Sequence, residues 1–489
     1  MNLPGSGSCF LARRVSFISN SLKPALAIAA LGLLAGCARF RSEPISPAQT
    51  ATRLESRSLD SPALKTFLET NLHRELTNWP AGPWTLDMLT LAGFYYHPSL
   101  EVARADWRAA AGGVKTASEW LNPTATWSLI HEPVPEANPW IPGLVVDLPI
   151  ETAGKRRLRT EQARHQAEAA RLKVATAAWQ VRSQVRVALL DLVAARRRLG
   201  LLQHEADLRE AYVARLRQQL QAGAISSAEL NLARLALIRA RADLTDAQRV
   251  LAEARPRLAG ALGLPATALE DVEVQFDLTL PAGTAALTSS EVRRVALLGR
   301  ADVLSALAEY AAAQSALQLE VARQYPDIHL APGYSWNAGS ASESDWQIGA
   351  TVELPLLNQH KGAIAEASAR REASAARFLA LQSKVMTDID LAVASFRAGQ
   401  TNLSALQELA VAQAAQERAV SEQLEAGAAD RLELLAAELE TSTTELTRLD
   451  AQVKLQQAVG ALEDAVQRPL ELPAAIFDSK ASDAHPSSP

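Results

Sequence analysis

Only two cysteines, Cys9 and Cys37, occur in 489 residues. A disulfide framework is therefore excluded as a source of stability. Aromatic residues make up only 5% of the chain. Strong helix formers (Ala, Leu, Arg and Glu) dominate instead, which favours long helices over a sandwich or an α/β core. Methionine occurs three times and the eight histidines are scattered. No ligand pair stands at helical spacing, so no metal site is expected. The formal net charge is −5, and no basic block points to nucleic acid. Neither a Gly-rich phosphate loop nor a nucleophile motif occurs, so neither a cofactor nor an enzymatic activity is expected.

The apolar run Ala25 to Leu34 follows Arg13, Arg14 and Lys23 and leads into Leu34-Ala35-Gly36-Cys37. It is too short to span a bilayer and ends in small residues, so residues 1–36 read as a secretory signal. Leu-Ala-Gly-Cys resembles the lipobox of bacterial lipoproteins, which implies cleavage before Cys37 and lipidation of its thiol. By the same analogy, Ala38 rather than Asp after the lipidated position favours the outer membrane.

Residues 37–84 carry Pro44, Pro47, Pro62, Pro80 and Pro83 and read as an extended segment with one short helix near Ala63 to Thr77. A helical pattern then covers Thr85 to Trp120. After Asn122-Pro123 the period changes to two, over Thr124 to His131 and again over Leu144 to Leu148, with a Pro-rich loop between. From Gly154-Lys155-Arg156-Arg157 a helical pattern runs to Leu220, on the order of 100 Å of helix. Nothing that long belongs in a compact core; it needs a coiled-coil-like partner along its length. The basic start reads either as a helix end near anionic head groups or as a solvated turn. Helix resumes from Ser227 to Leu262, and residues 266–290 read as an irregular connector.

The order then repeats: helix over Ser290 to Gln324, Tyr325-Pro326, strands over Ile328 to Trp336 and Trp346 to Leu354, a helix from Lys361 to Leu424, and a return to Val466. Asp147-Leu148-Pro149 matches Glu353-Leu354-Pro355, and Ala222-Gly223-Ala224 matches Ala426-Gly427-Ala428. The chain is a tandem duplication, 85–265 and 291–468, followed by a tail over 469–489 that reads as disordered. In each repeat the two shorter helices sum to the length of the long one, so stacked end to end they could run alongside it.

Ile328, Leu330, Tyr334 and Trp336, with Trp346, Ile348, Ala350, Val352 and Leu354, form strand faces apolar enough for lipid, while the opposite faces are polar. Short strands patterned this way are the signature of an outer-membrane barrel. Four strands cannot close one, and open edges are not viable in lipid. Other copies of the chain must complete the sheet, and three copies supply twelve strands.

As a whole the pattern resembles the TolC-type outer membrane efflux proteins. Thr85-Leu86-Asp87 through Ala92, with His97-Pro98-Ser99-Leu100, resembles the opening helix of that family. Asn122-Pro123 and Tyr325-Pro326 resemble its pre-strand prolines, and Pro149 through Arg157 resembles the strand-to-helix junction of the CzcC-like heavy-metal branch. The resemblance implies a mainly α fold with a small β part: tandem-duplicated long helical hairpins with four transmembrane strands, forming in a homotrimer a 12-stranded barrel on an α-helical barrel. It further implies a passive exit duct for heavy-metal cations or small toxic compounds, working with a periplasmic adaptor and an inner-membrane RND-type pump. A structural coiled-coil lipoprotein or adaptor, and a type I protein-secretion duct, are the alternatives.

The Gly-bearing breaks between the long helices read as hairpin tips. Gly223 and Gly427 supply left-handed C-caps, and Ser226-x-x-Glu229 and Asp430-x-x-Glu433 read as capping boxes that start the next helices. By resemblance, Ala222, Gly223, Ala224, Ala426, Gly427 and Ala428 are the adaptor contacts. Glu433, with Glu229 and Asp430, stands where the family narrows its pore with carboxylates.

Overall fold

The computed structural model describes residues 40–80, 82–131, 140–336, 344–470 and 477. The signal segment, Cys37, the 132–139 loop, the 337–343 loop and most of the tail lie outside the described residues. Residues up to Ser56 form one unit and those from Arg57 onward another. The first contains helix α1, Pro47–Glu55, begun by proline at its first turn.

The main unit follows the duplicated order. After α2 (Pro62–Leu72), the first repeat comprises α3 (Leu86–Tyr96), α4 (Pro98–Ser118), β1 (Thr124–His131), β2 (Trp140–Ile150), α5 (Lys155–Gln221) and α6 (Ser227–Leu262). The second comprises α7 (Ser290–Gly299), α8 (Ala301–Ala322), β3 (Ile328–Trp336), β4 (Ser344–Val352), α9 (Lys361–Glu425) and α10 (Arg431–Val466).

Two spans that read as continuous helix are broken. His97-Pro98 divides α3 from α4, because the residue before proline is driven to extended backbone (ψ 125°) and proline then serves as the first residue of the next helix. Arg300 (ψ 139°) divides α7 from α8 without any proline. Its guanidinium donates to the Ala465 carbonyl at 2.5 Å and to Asp302, fixing the bend on the end of α10. The early helix ends at Leu72 rather than Thr77, and α1 adds a second helix to that segment. The tail also departs from the reading at one place. Phe477 is buried, stacked on Trp179 with ring centroids 4.2 Å apart and edge-on to Phe94 at 5.5 Å.

The stacking of short helices along the long ones is observed. Near the strands, Arg159 on α5 donates to the Ala117 carbonyl of α4 at 3.0 Å, and Leu158 packs with Leu319 and Ala322 of α8. At the other end Val213 and Leu216 of α5 pack with Leu230 and Leu237 of α6. The junction between stacked helices is tight. A Cβ on Gly263, which caps α6 at φ +75°, would lie 2.8 Å from the Tyr96 carbonyl at the end of α3. Arg57 bridges these two ends, donating to the Tyr96 and Gly263 carbonyls at 2.9 and 3.0 Å. The 266–290 connector lies at this level, where Val274 forms a parallel bridge with Trp84.

Helix α5 is the central member, flanked by α4, α6, α8 and α10. Of its 67 residues 24 are buried, against five of the 65 in α9, so α9 leaves an outer face uncovered. The repeats are tied together by a buried ionic cluster. Glu463 of α10 accepts from Arg182 at 2.8 Å and pairs with Arg186 at 3.2 Å, and all three are nearly inaccessible. Arg186 also donates to Gln456 Oε1, whose Nε2 donates to the Thr279 carbonyl of the connector at 2.6 Å. Charges so placed are tolerated only when paired and hydrogen-bonded, and removing one partner typically costs about 3–5 kcal/mol.

Asp464 lies beside this cluster, and burial holds its carboxyl above the ordinary carboxylate range. The folded chain therefore binds that proton more tightly than the unfolded chain. The stability from this group is full below the unfolded Asp value of about 3.9 and is lost as pH rises through the folded value. Asp464→Asn is expected to raise the melting temperature at pH 7, with the gain vanishing on acidification; a variant melting lower than the parent at pH 7 would contradict this.

Candidate functional site

The two tips have the same backbone construction. In the first, Gly223 N donates to the Leu220 carbonyl and Ala224 N to the Gln219 carbonyl, at 3.0 and 2.9 Å. In the second, Gly427 N donates to Leu424 and Ala428 N to Gln423, at 3.1 and 2.7 Å. This paired pattern is the Schellman motif, and it requires left-handed backbone at the glycine, here φ +75° and +74°. Ala222, Gly223, Ala224, Ala426, Gly427 and Ala428 are all exposed. A Cβ on either tip glycine would meet nothing within 4 Å, so the glycines serve the turn and leave open space beside it.

The helix starts differ. At the second tip the capping box is complete: Asp430 Oδ1 accepts from Glu433 N, and Glu433 Oε2 accepts from Asp430 N, both at 2.9 Å. At the first, Ser226 Oγ accepts from Glu229 N at 3.4 Å, but Glu229 turns to that same hydroxyl, at 3.2 Å, instead of to the Ser226 backbone. The first box is therefore half-formed, a difference that the matching S-x-x-E and D-x-x-E spacings do not reveal. The tips lie side by side, since Leu432 of the second joins the apolar cluster of the first. The cap engages Glu433 through Oε2 alone, and the side chain remains exposed.

At the other end the four strands form one antiparallel sheet in the order β1-β2-β3-β4. Trp127 faces Leu144, Leu144 faces Tyr334, and Tyr334 faces Trp346, making one row across the sheet. Ile150, Ile328 and Val352 make a second row. This face is bare: Trp346 and Ile348 are 81% and 83% accessible. Trp127, Trp336, Tyr334 and Trp346 cluster towards the loop end. Trp120, under the Arg156 guanidinium at 3.7 Å, lies at the helix end. An apolar band with aromatics gathered at its rim is the pattern of a bilayer-facing surface. The opposite face is the more polar one, with His329 Nδ1 2.9 Å from Asp147 Oδ2; His131 lies edge-on to Trp140 on the apolar face, at its loop end. Among the described residues no helix is long and apolar enough to cross a membrane.

The outer membrane efflux protein family profile matches residues 96–264 and 292–466, one match per repeat. The chain belongs to the outer membrane efflux protein family. Its fold is TolC-like. The chain is 24% identical over 325 residues to the cobalt-zinc-cadmium resistance protein CzcC of Cupriavidus metallidurans, covering 66% of this chain and 75% of that one. The outer-membrane channel OprN superposes with a TM-score of 0.66 at 19% identity, covering 88% of this chain and 99% of that chain. VceC of Vibrio cholerae gives 0.64 at 20%, covering 79% and 97%. In this efflux protein the tips and the sheet occupy opposite ends of the long helices.

Two sets of residues escaped the sequence reading. Lys155 is neither a head-group contact nor a solvated turn; it is buried and paired with Asp327 at 2.8 Å. Arg182 and Arg186 also went unnoticed, although two arginines four apart within the apolar run around Val181, Val185 and Leu189 signal a buried partner.

The two kinds of glycine can be told apart by stability. Gly223→Ala or Gly427→Ala pays only for left-handed backbone, about 1–2 kcal/mol, whereas Gly263→Ala adds a clash with backbone. Thermal melting should rank Gly263→Ala as clearly the most destabilised, and equal losses would contradict the packing described.

Proposed function

We propose that this efflux protein is the outer-membrane exit duct of a tripartite efflux system. Three copies form a 12-stranded barrel on an α-helical barrel, and cargo passes through without chemistry in the wall. The observation that carries this reading is the bare apolar sheet with two open edges at one end of the long paired helices. The exposed tips at the far end are the docking surface for a periplasmic adaptor, which links the duct to an RND-type inner-membrane pump. Cys37 carries a lipid that anchors the chain to the outer membrane. The relation to CzcC, named for cobalt, zinc and cadmium resistance, supports heavy-metal cations as cargo. A strain lacking the protein should become sensitive to one or more of these metals and recover with the intact gene. Unchanged tolerance to all three, with sensitivity to organic toxins instead, would overturn the metal assignment.

Near the tips, three copies of Glu433 form a carboxylate ring that favours cations. Its capping role and its charge separate cleanly, because glutamine also serves as the third residue of a capping box. Glu433→Gln should keep the parent's thermal stability and lower the cation preference of single channels in planar bilayers. An unchanged selectivity would remove Glu433 from the gate.

A further inference from the structure

The two repeats finish their strand-to-helix junctions differently. In the first, Gly154 adopts left-handed backbone (φ 70°) and Lys155 opens α5. Lys155 is buried, and its Nζ donates to the Tyr325 carbonyl at 2.7 Å and to Asp327 Oδ1 at 2.8 Å. Thr152 donates through N to Asp327 Oδ1 and through Oγ1 to the Pro326 carbonyl, at 2.9 and 2.6 Å. Together these groups clasp the turn that leads into β3.

The second junction has the equivalent positions on a different backbone. His360 (φ 55°) stands in the place of Gly154, Lys361 opens α9, and Asn358 stands in the place of Thr152, its Oδ1 accepting from His360 N at 3.0 Å; the second left-handed residue of the first junction, Ala153, has no left-handed counterpart. Here, however, Lys361 and Asn358 are exposed and Leu357 is 102% accessible. The turn leading into β1, Asn122-Pro123-Thr124, is also exposed, beside Trp120 at 69%. One junction thus lacks a turn, and one turn lacks a junction. They lie on β4 and β1, the opposite edges of the sheet.

We propose that the β4–α9 junction of one copy clasps the β1 turn of the next. Lys361 Nζ donates to the Asn122 carbonyl and Thr124 Oγ1, the Asn358 carboxamide donates to the Pro123 carbonyl, and Leu357 covers Trp120. This rests on the trimer reading and names the residues of its seam. The occupant is a second copy because the chain itself displays the template: the equivalent junction of the first repeat, already seated on the equivalent turn. The seam also differs from the template in charge. Thr124 replaces Asp327, so the clasp between copies has hydrogen bonds where the clasp within the chain has an ion pair.

The full-length protein carrying Asn358→Cys and Thr124→Cys, treated in membranes with a short bismaleimide, should give a ladder of two and three covalently joined chains. Neither single variant should give that ladder. Thr152→Cys with Asp327→Cys is the positive control, cross-linking within one chain. Lys361→Ala should lower the temperature at which the detergent-extracted assembly dissociates, and Lys361→Arg should restore it. An intact trimer with the control cross-linked but no ladder would overturn the clasp and leave the trimer standing, as would an unchanged dissociation temperature for Lys361→Ala. A protein that extracts only as single chains would overturn both.

Discussion

Every backbone amide and carbonyl placed in hydrocarbon must find a partner, and much of this structure follows from that constraint. The sheet satisfies it between β1 and β4 and fails it at the two outer edges. Its apolar face, with Trp346 and Ile348 more than 80% accessible, is unsuited to water. Lipid accounts for the face, and further copies of the sheet account for the edges. The same incompleteness recurs in the helices, where α9 buries far fewer residues than α5 despite nearly equal length.

Helices as long as α5 and α9 share little common interior, so they must be braced locally. The bracing is concentrated where the stacked short helices meet. Gly263 lets α6 abut α3, Arg57 ties their last carbonyls, and the Arg182–Glu463–Arg186 cluster joins α5 to α10. Phe477 returns to the same level and fills the space between Phe94 and Trp179. The tips, by contrast, are held by turn chemistry and one small apolar cluster. That distribution fixes the long helices at their middle and leaves the tip end lightly braced.

Features set by local chemistry were legible in the sequence. The alternation in the strands, the prolines before them, Gly223, Gly427 and the Asp430–Glu433 box all act within a few residues, and each stands where its spacing placed it. Features that depend on distant partners were not. Glu463 lies 281 residues from Arg182, so the pattern along α5 could mark arginines in an apolar run but not name what neutralises them. The bend at Arg300 has no proline to announce it; it depends on carbonyls at the end of α10. Pro98, by contrast, marks the α3–α4 break in the sequence itself, since it drives His97 to extended backbone. Lys155 looked like part of a solvated basic cluster because its partner, Asp327, belongs to the other repeat.

The central claim is that four strands per chain become a closed barrel only through assembly. Native mass measurement of the protein released from outer membranes in mild detergent tests it most directly. The account predicts a single species containing three chains. A stable species of one chain, with the sheet intact, would contradict it.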